Sequence, residues 1–382
     1  MSRRIAAGLG LLLAAGLLAG ESPAPSKLIA TIRAVGKEGK GNAEAAKAWK
    51  SLVAVGPAAL APILDALNDD EVVAGNWLQP AFEAVAEKAA ENGKLSTPLL
   101  EKALADTKKA NVARTLAYVW LVRQDKTAAS RLLPGMLADP APGLRRRAVE
   151  DAVKNADALL AKDEKSQGAA LLYRLAFRAA GDPEQVESIA KTLTKLGVEL
   201  DVAKQLGVVS RWHLVAPFDN TKNKGFDVAY APEKGVQLAA TYKGKDDKAA
   251  TWTEHTTTDP QGAVDLKKVL GPLKGTVAYA YATVEVPEAR RVYLRSGSIA
   301  AMKIFLNGKE VFAREEYHHG TRIDQYAVRV PLLKGKNEIL VKVCQNEQVE
   351  PWAQAWAFQL RICDTVGCGV PFAQAGTKKE DK

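Results

Sequence analysis

Around Gly207 to Arg211 the spacing of apolar residues changes from a period of 3.6 to a period of 2, so this chain must fold first as helices and then as strands. From about Lys27 to Leu206 the sequence is rich in Ala and Leu, and apolar residues recur at three- and four-residue steps. Leu60, Ile63, Leu64 and Leu67 form one such stripe, and Leu99, Leu100, Ala103 and Leu104 form another. Gly56-Pro57 and Gly181-Asp182-Pro183 set helix stops beside helix starts. With 47% hydrophobic and 25% charged residues, the chain can bury a large core, which excludes a mainly disordered protein. At 382 residues it has room for two domains.

Beyond the switch, aromatic, β-branched and Gly residues become frequent. Strands are predicted over Val277–Val286, Arg291–Leu294, Lys303–Leu306, Lys309–Phe312, Tyr326–Leu332 and Glu338–Val343, with a last one through Trp356, Phe358, Leu360 and Ile362. Asn307-Gly308 lies between two apolar runs and predicts a type I′ hairpin, whose two central residues need positive φ. Many strands with short turns and no intervening helices imply an antiparallel β-sandwich.

A weak repeat runs through the helical half as Leu67-Asn68-Asp69, Leu104-Ala105-Asp106 and Leu137-Ala138-Asp139. With Pro62, Pro98 and Pro134 in the helices that precede these turns, the stretch from Val53 to Leu67 resembles HEAT-like repeats of the PBS-lyase type. That resemblance implies an α-solenoid over about 25–206, whose stacked helix pairs share a core and leave a broad surface for a protein partner. In the second half the residues Trp212-His213-Leu214-Val215-Ala216-Pro217-Phe218, the Phe305-Leu306-Asn307-Gly308 hairpin and Leu332-Leu333-Lys334-Gly335-Lys336-Asn337 resemble galactose-binding-like jelly-roll modules of large exported proteins from planctomycete-type bacteria. This resemblance implies a jelly roll over about 207–370 that binds a glycan or a second protein, and it leaves the ligand open. A polar tail expected to be disordered follows over 371–382.

The net charge of +9 is spread over both halves, and the densest run, Arg145-Arg146-Arg147, reads as a solvated helix face. Nucleic-acid binding needs a concentrated basic stripe, so it is not expected. At the N-terminus Arg3 and Arg4 precede an apolar run from Ile5 to Ala19 and then Gly20, the order of a secretory signal ending by about residue 24. Glu21 stands where a lipoprotein signal needs Cys. The expected location is therefore the periplasm, the cell envelope or the exterior, with membrane attachment only if the signal stays uncut. Of the three cysteines, Cys363 and Cys368 are a candidate disulfide closing a small loop, and an odd count leaves one thiol unpaired.

All four histidines fall in the β half, and neither a nucleophile elbow nor a phosphate loop is found in the sequence. Glu315 and Glu316 are adjacent, so on a strand they would face opposite ways. The stretch from Arg314 to Asp324 gathers polar, aromatic and titratable groups after the hairpin. Tyr317, His318, His319, Arg322 and Asp324 are its candidate sugar-binding residues, through ring stacking and planar hydrogen bonding. Trp252 and Trp352 are further candidates. No cofactor is expected apart from a structural calcium, for which Asp219, Asn223 and Asp227 are the candidate donors, although an EF-hand fails because Lys224 and Tyr230 occupy the Gly and Glu positions. The expected protein is a non-catalytic exported binding or scaffold protein. The alternatives are a carbohydrate-active enzyme carrying the β domain as an accessory module, and a purely structural envelope component.

Overall fold

Residues 23–374 are described by the computed structural model. The export signal expected over 1–24 and the tail expected over 371–382 lie almost wholly or largely outside these residues. The chain combines helices with antiparallel sheets and divides into two compact units, one up to Lys126 and one from Thr127 onward. Secondary structure changes from helix to strand between Leu206 and Arg211, whereas the unit boundary falls earlier because the later helices pack with the sheets. Among the described residues, no helix is long and apolar enough to cross a membrane.

The first unit is built from α1 (Pro25–Arg33), α2 (Asn42–Val55), α3 (Leu60–Ala66), α4 (Val72–Glu91), α5 (Thr97–Ala105) and α6 (Asn111–Gln124). α1 packs on α2 and α4, α3 on α4 and α6, and α5 on α6. The stripe Leu60, Ile63, Leu64 and Leu67 is buried throughout, and so are Leu100, Ala103 and Leu104 of the next. Leu99 departs from its stripe and is only half-buried. The repeated Asp residues satisfy backbone donors at the turns. Asp69 accepts the backbone N–H groups of Asn111 at 2.8 Å and Val112 at 3.0 Å, so it satisfies two of the unpaired donors at the start of α6. Asp106 and Asp139 instead close local turns, accepting from the N–H groups of Lys108 and Ala141 two residues on.

The second unit opens with α7 (Ala128–Leu132), α8 (Pro142–Leu160), α9 (Gln167–Ala179), α10 (Pro183–Lys195) and α11 (Val202–Leu206), of which α8 to α11 share a buried cluster that includes Tyr173, Phe177, Val186 and Leu193. The predicted stop at Gly181-Asp182-Pro183 holds: Pro183 opens α10, and Asp182 accepts the N–H of Gln185 at 3.2 Å. There follow β1 (Arg211–Asp219), β2 (Thr241–Lys243), β3 (Ala249–Thr251), β4 (Thr253–Thr256), β5 (Val264–Asp265), the short α12 (Leu266–Leu270) and β6 (Thr276–Val286). Next come β7 (Arg290–Ser298), β8 (Ala301–Leu306), β9 (Lys309–Arg314), β10 (Tyr326–Leu332), β11 (Gly335–Gln345), β12 (Ala357–Cys363) and β13 (Ala373–Gln374). A seven-stranded antiparallel sheet has the order β4-β1-β6-β11-β8-β9, with β13 paired to β6, and a four-stranded sheet has the order β10-β7-β12-β5. Residues of both sheets meet in one core containing Trp212, Ala280, Ile304, Val341, Leu294, Phe358 and Leu360.

Two motifs have direct structural causes. Asn307 and Gly308 take φ of 50° and 77°, as a type I′ turn requires. Asn337, fully buried, accepts from the Leu333 N–H at 2.9 Å and donates to the Leu333 carbonyl at 2.7 Å, while Asn307 Nδ2 donates to its Oδ1 at 3.1 Å. One side chain thus closes its own turn and ties it to the neighbouring hairpin. The expected tail begins later than 371, because β13 pairs with β6 and Gln374 Oε1 accepts the N–H groups of Ser210 and Arg211.

The segment between β1 and β4 covers the outer face of the seven-stranded sheet. β6 is consequently buried on both sides, with Ala278, Ala280 and Ala282 facing the shared core and Val277, Tyr279 and Tyr281 facing a second cluster with Phe218, Phe226 and Cys344. Lys342 lies fully buried there and donates to the carbonyls of Phe226 and Val228 and to Glu233, each at 2.9 Å. The Tyr279 hydroxyl also bonds Glu233, and burial pushes its pKa far up.

The helices of the second unit are joined to its sheets by a buried ion cluster. Arg361 on β12 is 1% exposed and uses all five guanidinium donors. Nε donates to Asp324 at 2.6 Å, Nη1 to the carbonyls of Leu206 (3.0 Å) and Gly367 (2.7 Å), and Nη2 to Asp324 and to the Gly181 carbonyl (3.3 Å). Arg295 on β7 donates to the same carboxylate at 2.8 Å. Glycine permits the backbone approach: a Cβ on Gly181 would lie 2.2 Å from the Val366 carbonyl oxygen, and one on Gly207, at φ +72°, would lie 2.1 Å from that of Ile362. Burial alone would raise the Asp324 carboxyl, but the bonds and charges of Arg361 and Arg295 outweigh it and hold it below the usual carboxylate range.

Two outcomes follow from these contacts. Asp69→Ala should lower unfolding stability by about 1 kcal/mol in urea titration, the usual effect of removing a helix cap. Asp324→Asn strands two buried guanidinium groups and should cost about 3–5 kcal/mol by the same measurement. Because the folded pKa of Asp324 is depressed, this contribution is complete above the unfolded carboxyl value of about 4 and is lost as pH falls through the lower folded value. The stability gap between wild type and Asp324→Asn should therefore be flat near neutrality and close only in acid; a gap that closes between pH 6 and 8 would contradict the assignment.

Candidate functional site

The polar loop after β9 does not form one solvent-facing surface. Asp324 turns inward at φ 61° into the arginine cluster, and the neighbouring Ile323 packs on the helical core. This corrects the expectation of a sugar-binding carboxylate: two buried guanidiniums draw it in. Tyr317 is half-buried on the outer cluster, where Asn220 donates to its hydroxyl at 3.2 Å and burial raises its pKa. His319 bonds Gln325 at 2.8 Å and lies 3.4 Å from the Tyr326 hydroxyl, which holds the loop closed. Of the residues expected there, Arg322 is the one left exposed, on a separate part of the loop. Trp252 is half-buried too, with its indole N–H directed to the Tyr242 hydroxyl at 3.3 Å and its ring edge-on to Tyr281.

The calcium candidates are engaged elsewhere. Asp219 accepts from the Thr221 hydroxyl and N–H and lies 3.8 Å from Lys245, and the Thr221 hydroxyl bond is the main cause of its lowered pKa. Asp227 pairs with Lys303 at 3.7 Å, and Asn223 sits in a turn at φ 60°. A lysine beside each carboxylate opposes a cation, so these residues do not fit a calcium site. Among the described residues no group of three or more His, Cys, Asp or Glu side chains is arranged to hold a metal.

The candidate disulfide is not formed either. Cys363 pairs across the backbone with Gly369, so the adjacent Cys368 projects from the opposite face. Cys363 Sγ lies 3.8 Å from the Tyr293 carbonyl oxygen and Cys368 Sγ 3.5 Å from that of Ala179. Burial pushes the Cys363 thiol up to about 11.

Trp352 and His318 do come together. Trp352 is 62% exposed on a single 3₁₀ turn, Pro351–Ala353, and His318 meets its ring edge-on at a centroid distance of 5.2 Å. His318 is fixed by its N–H to the Ile299 carbonyl at 2.9 Å and by Nε2 against Asn346 Oδ1 at 2.6 Å. Trp352 stands on the wall of an open cleft of about 890 Å³. The other walls are the segment from His255 to Asp259, which runs from the end of β4 into the following turn, the start of α12 with Asp265, Lys267 and Lys268, and Gln354 with the buried Trp356. The indole N–H of Trp356 is buried without an acceptor. Both cleft carboxylates are held by backbone donors: Asp259 closes a turn by accepting the N–H groups of Gln261 and Ala263, and Asp265 caps α12 by accepting that of Lys268. Sequence reasoning missed the His255–Asp259 wall and α12, which carry no motif. In the first unit a smaller groove of about 410 Å³ runs past Leu64, Pro98, Leu99 and Ala103, with the Lys109–Asp65 ion pair beside it.

No family model matches the chain, and no curated protein matches it. Among solved structures, an α-xylosidase of glycoside hydrolase family 31 from Xanthomonas citri aligns at 9% identity and a TM-score of 0.20, over 41% of this chain and 16% of that one. A β-glucosidase from Kluyveromyces marxianus aligns at 12% identity and a TM-score of 0.26, over 76% of this chain and 36% of that one. The chain thus spans about a sixth and about a third of the length of these enzymes, and likenesses this slight carry no argument about fold or activity.

Proposed function

We propose that the chain is an exported, non-catalytic binding protein, in which a HEAT-like α-solenoid offers a protein-contact surface and a galactose-binding-like jelly-roll β-sandwich binds a glycan in the Trp352 cleft. The observation that carries this reading is the exposed Trp352 indole, held edge-on by His318 at an open cleft. A sugar ring needs a flat apolar face to stack on and planar or charged groups to receive its hydroxyls. Trp352 supplies the first, and Gln354, Lys267 and Lys268 the second. The engagement of Asp259 and Asp265 favours binding over acid–base hydrolysis, since each carboxylate is already held by backbone donors. The apolar groove past Leu99 supports the protein-contact part of the reading.

A glycan array with the purified mature protein tests the cleft. Trp352→Ala should weaken binding by at least about tenfold, as loss of a central aromatic anchor does, while Arg322→Ala leaves it unchanged. The glycan reading fails if wild-type protein binds no glycan, or if Trp352→Ala binds as well as wild type.

A further inference from the structure

A second cavity, of about 230 Å³, lies where α8 and α10 meet the four-stranded sheet, and the glycan reading does not use it. Its walls include Arg145 and Arg146 of α8, Arg295 of β7, Asp182 before α10 and Val366. Three guanidinium groups converging on so small a space repel one another unless counter-charge is present. Asp182 and Glu150 bind Arg146, Asp324 is shared between Arg295 and Arg361, and the Asp364 carboxylate also acts on Arg295. Among the described residues Arg145 has no carboxylate partner: its Nε donates to the Asp139 carbonyl at 2.8 Å and its Nη1 lies 3.9 Å from Cys368 Sγ. Arg295 Nε is buried with no hydrogen-bond partner, an orphaned donor on a side chain that lines the cavity. The 19-residue α8 begins beside the same space without a side-chain cap, adding the positive end of its dipole.

We propose that this cavity binds a tetrahedral oxyanion, a phosphate or sulfate group. Such a group accepts from several guanidiniums at once and gives Arg145 an anionic acceptor. The site stands whether or not the Trp352 cleft holds a sugar. The group can arrive as the free inorganic anion or as an ester on a saccharide.

Isothermal titration of the full mature chain with sodium phosphate, sodium sulfate and galactose 6-sulfate, in chloride buffer at matched ionic strength, tests this. Calorimetric saturation is the readout because phosphate and sulfate raise the melting temperature of proteins in general by exclusion. We expect one-site saturable binding, weakened at least about tenfold in Arg145→Gln and in Arg146→Gln and unchanged in Arg174→Gln, a control at an exposed position on α9. Binding of galactose 6-sulfate alone assigns the group to an ester, and binding of the inorganic salts shows that the free anion suffices. Absence of saturable binding by all three probes overturns the proposal, as does equal binding by both cavity variants; circular dichroism of each variant separates lost binding from lost fold.

Discussion

Arg361 and the carboxylate of Asp324 hold the second unit together. A guanidinium and a carboxylate taken out of water each lose several kcal/mol of hydration, which only near-complete hydrogen bonding offsets. Here the bidentate pair is extended by three carbonyls, those of Leu206, Gly367 and Gly181, and by Arg295 on the second carboxylate oxygen. Leu206 ends α11 and Gly181 follows α9, so the cation also meets the negative ends of two helices. A lysine could not take this place, because it has three donors on one point and no planar fork. Through this contact the helices after Thr127 belong to the sheets, and a boundary drawn where the periodicity changes is not a boundary in packing.

The second organising constraint is the burial of β6 and β11 on both faces. A sheet with one solvated face would place polar residues at alternate positions, yet β6 alternates small Ala with large Tyr. The Ala side chains admit the large residues of the opposite sheet, and the Tyr side chains pack under the segment between β1 and β4. Lys342 anchors that segment from beneath by binding two of its carbonyls and Glu233. Tyr317 and Trp252 are drawn into this cover, so two aromatic residues that resemble a ligand platform in sequence work as packing.

Function is left to what the packing does not consume. At one end of the sheets the loops around Trp352 leave an exposed indole on an open cleft. Where helices meet the four-stranded sheet, a small cavity lined by Arg145, Arg146 and Arg295 remains. The two places differ in kind. The first is aromatic and open, and the second is small and lined by guanidinium groups.

The sequence by itself determined the order of helices and strands, the hairpin at Asn307-Gly308, the helix break at Gly181-Asp182-Pro183 and the strands from β6 to β12, because periodicity, turn chemistry and capping act over a few residues. It singled out Trp352 and His318 but did not pair them with each other. Which polar residues face water depends on partners far along the chain: Asp324 meets Arg361 37 residues later, and Asn220 meets Tyr317 97 residues later. The same holds for Cys363 and Cys368, where a one-residue offset in backbone pairing sends the two thiols to opposite faces. Only tertiary structure decided these, because a charge or an aromatic ring is a surface group or a core group according to what folds over it.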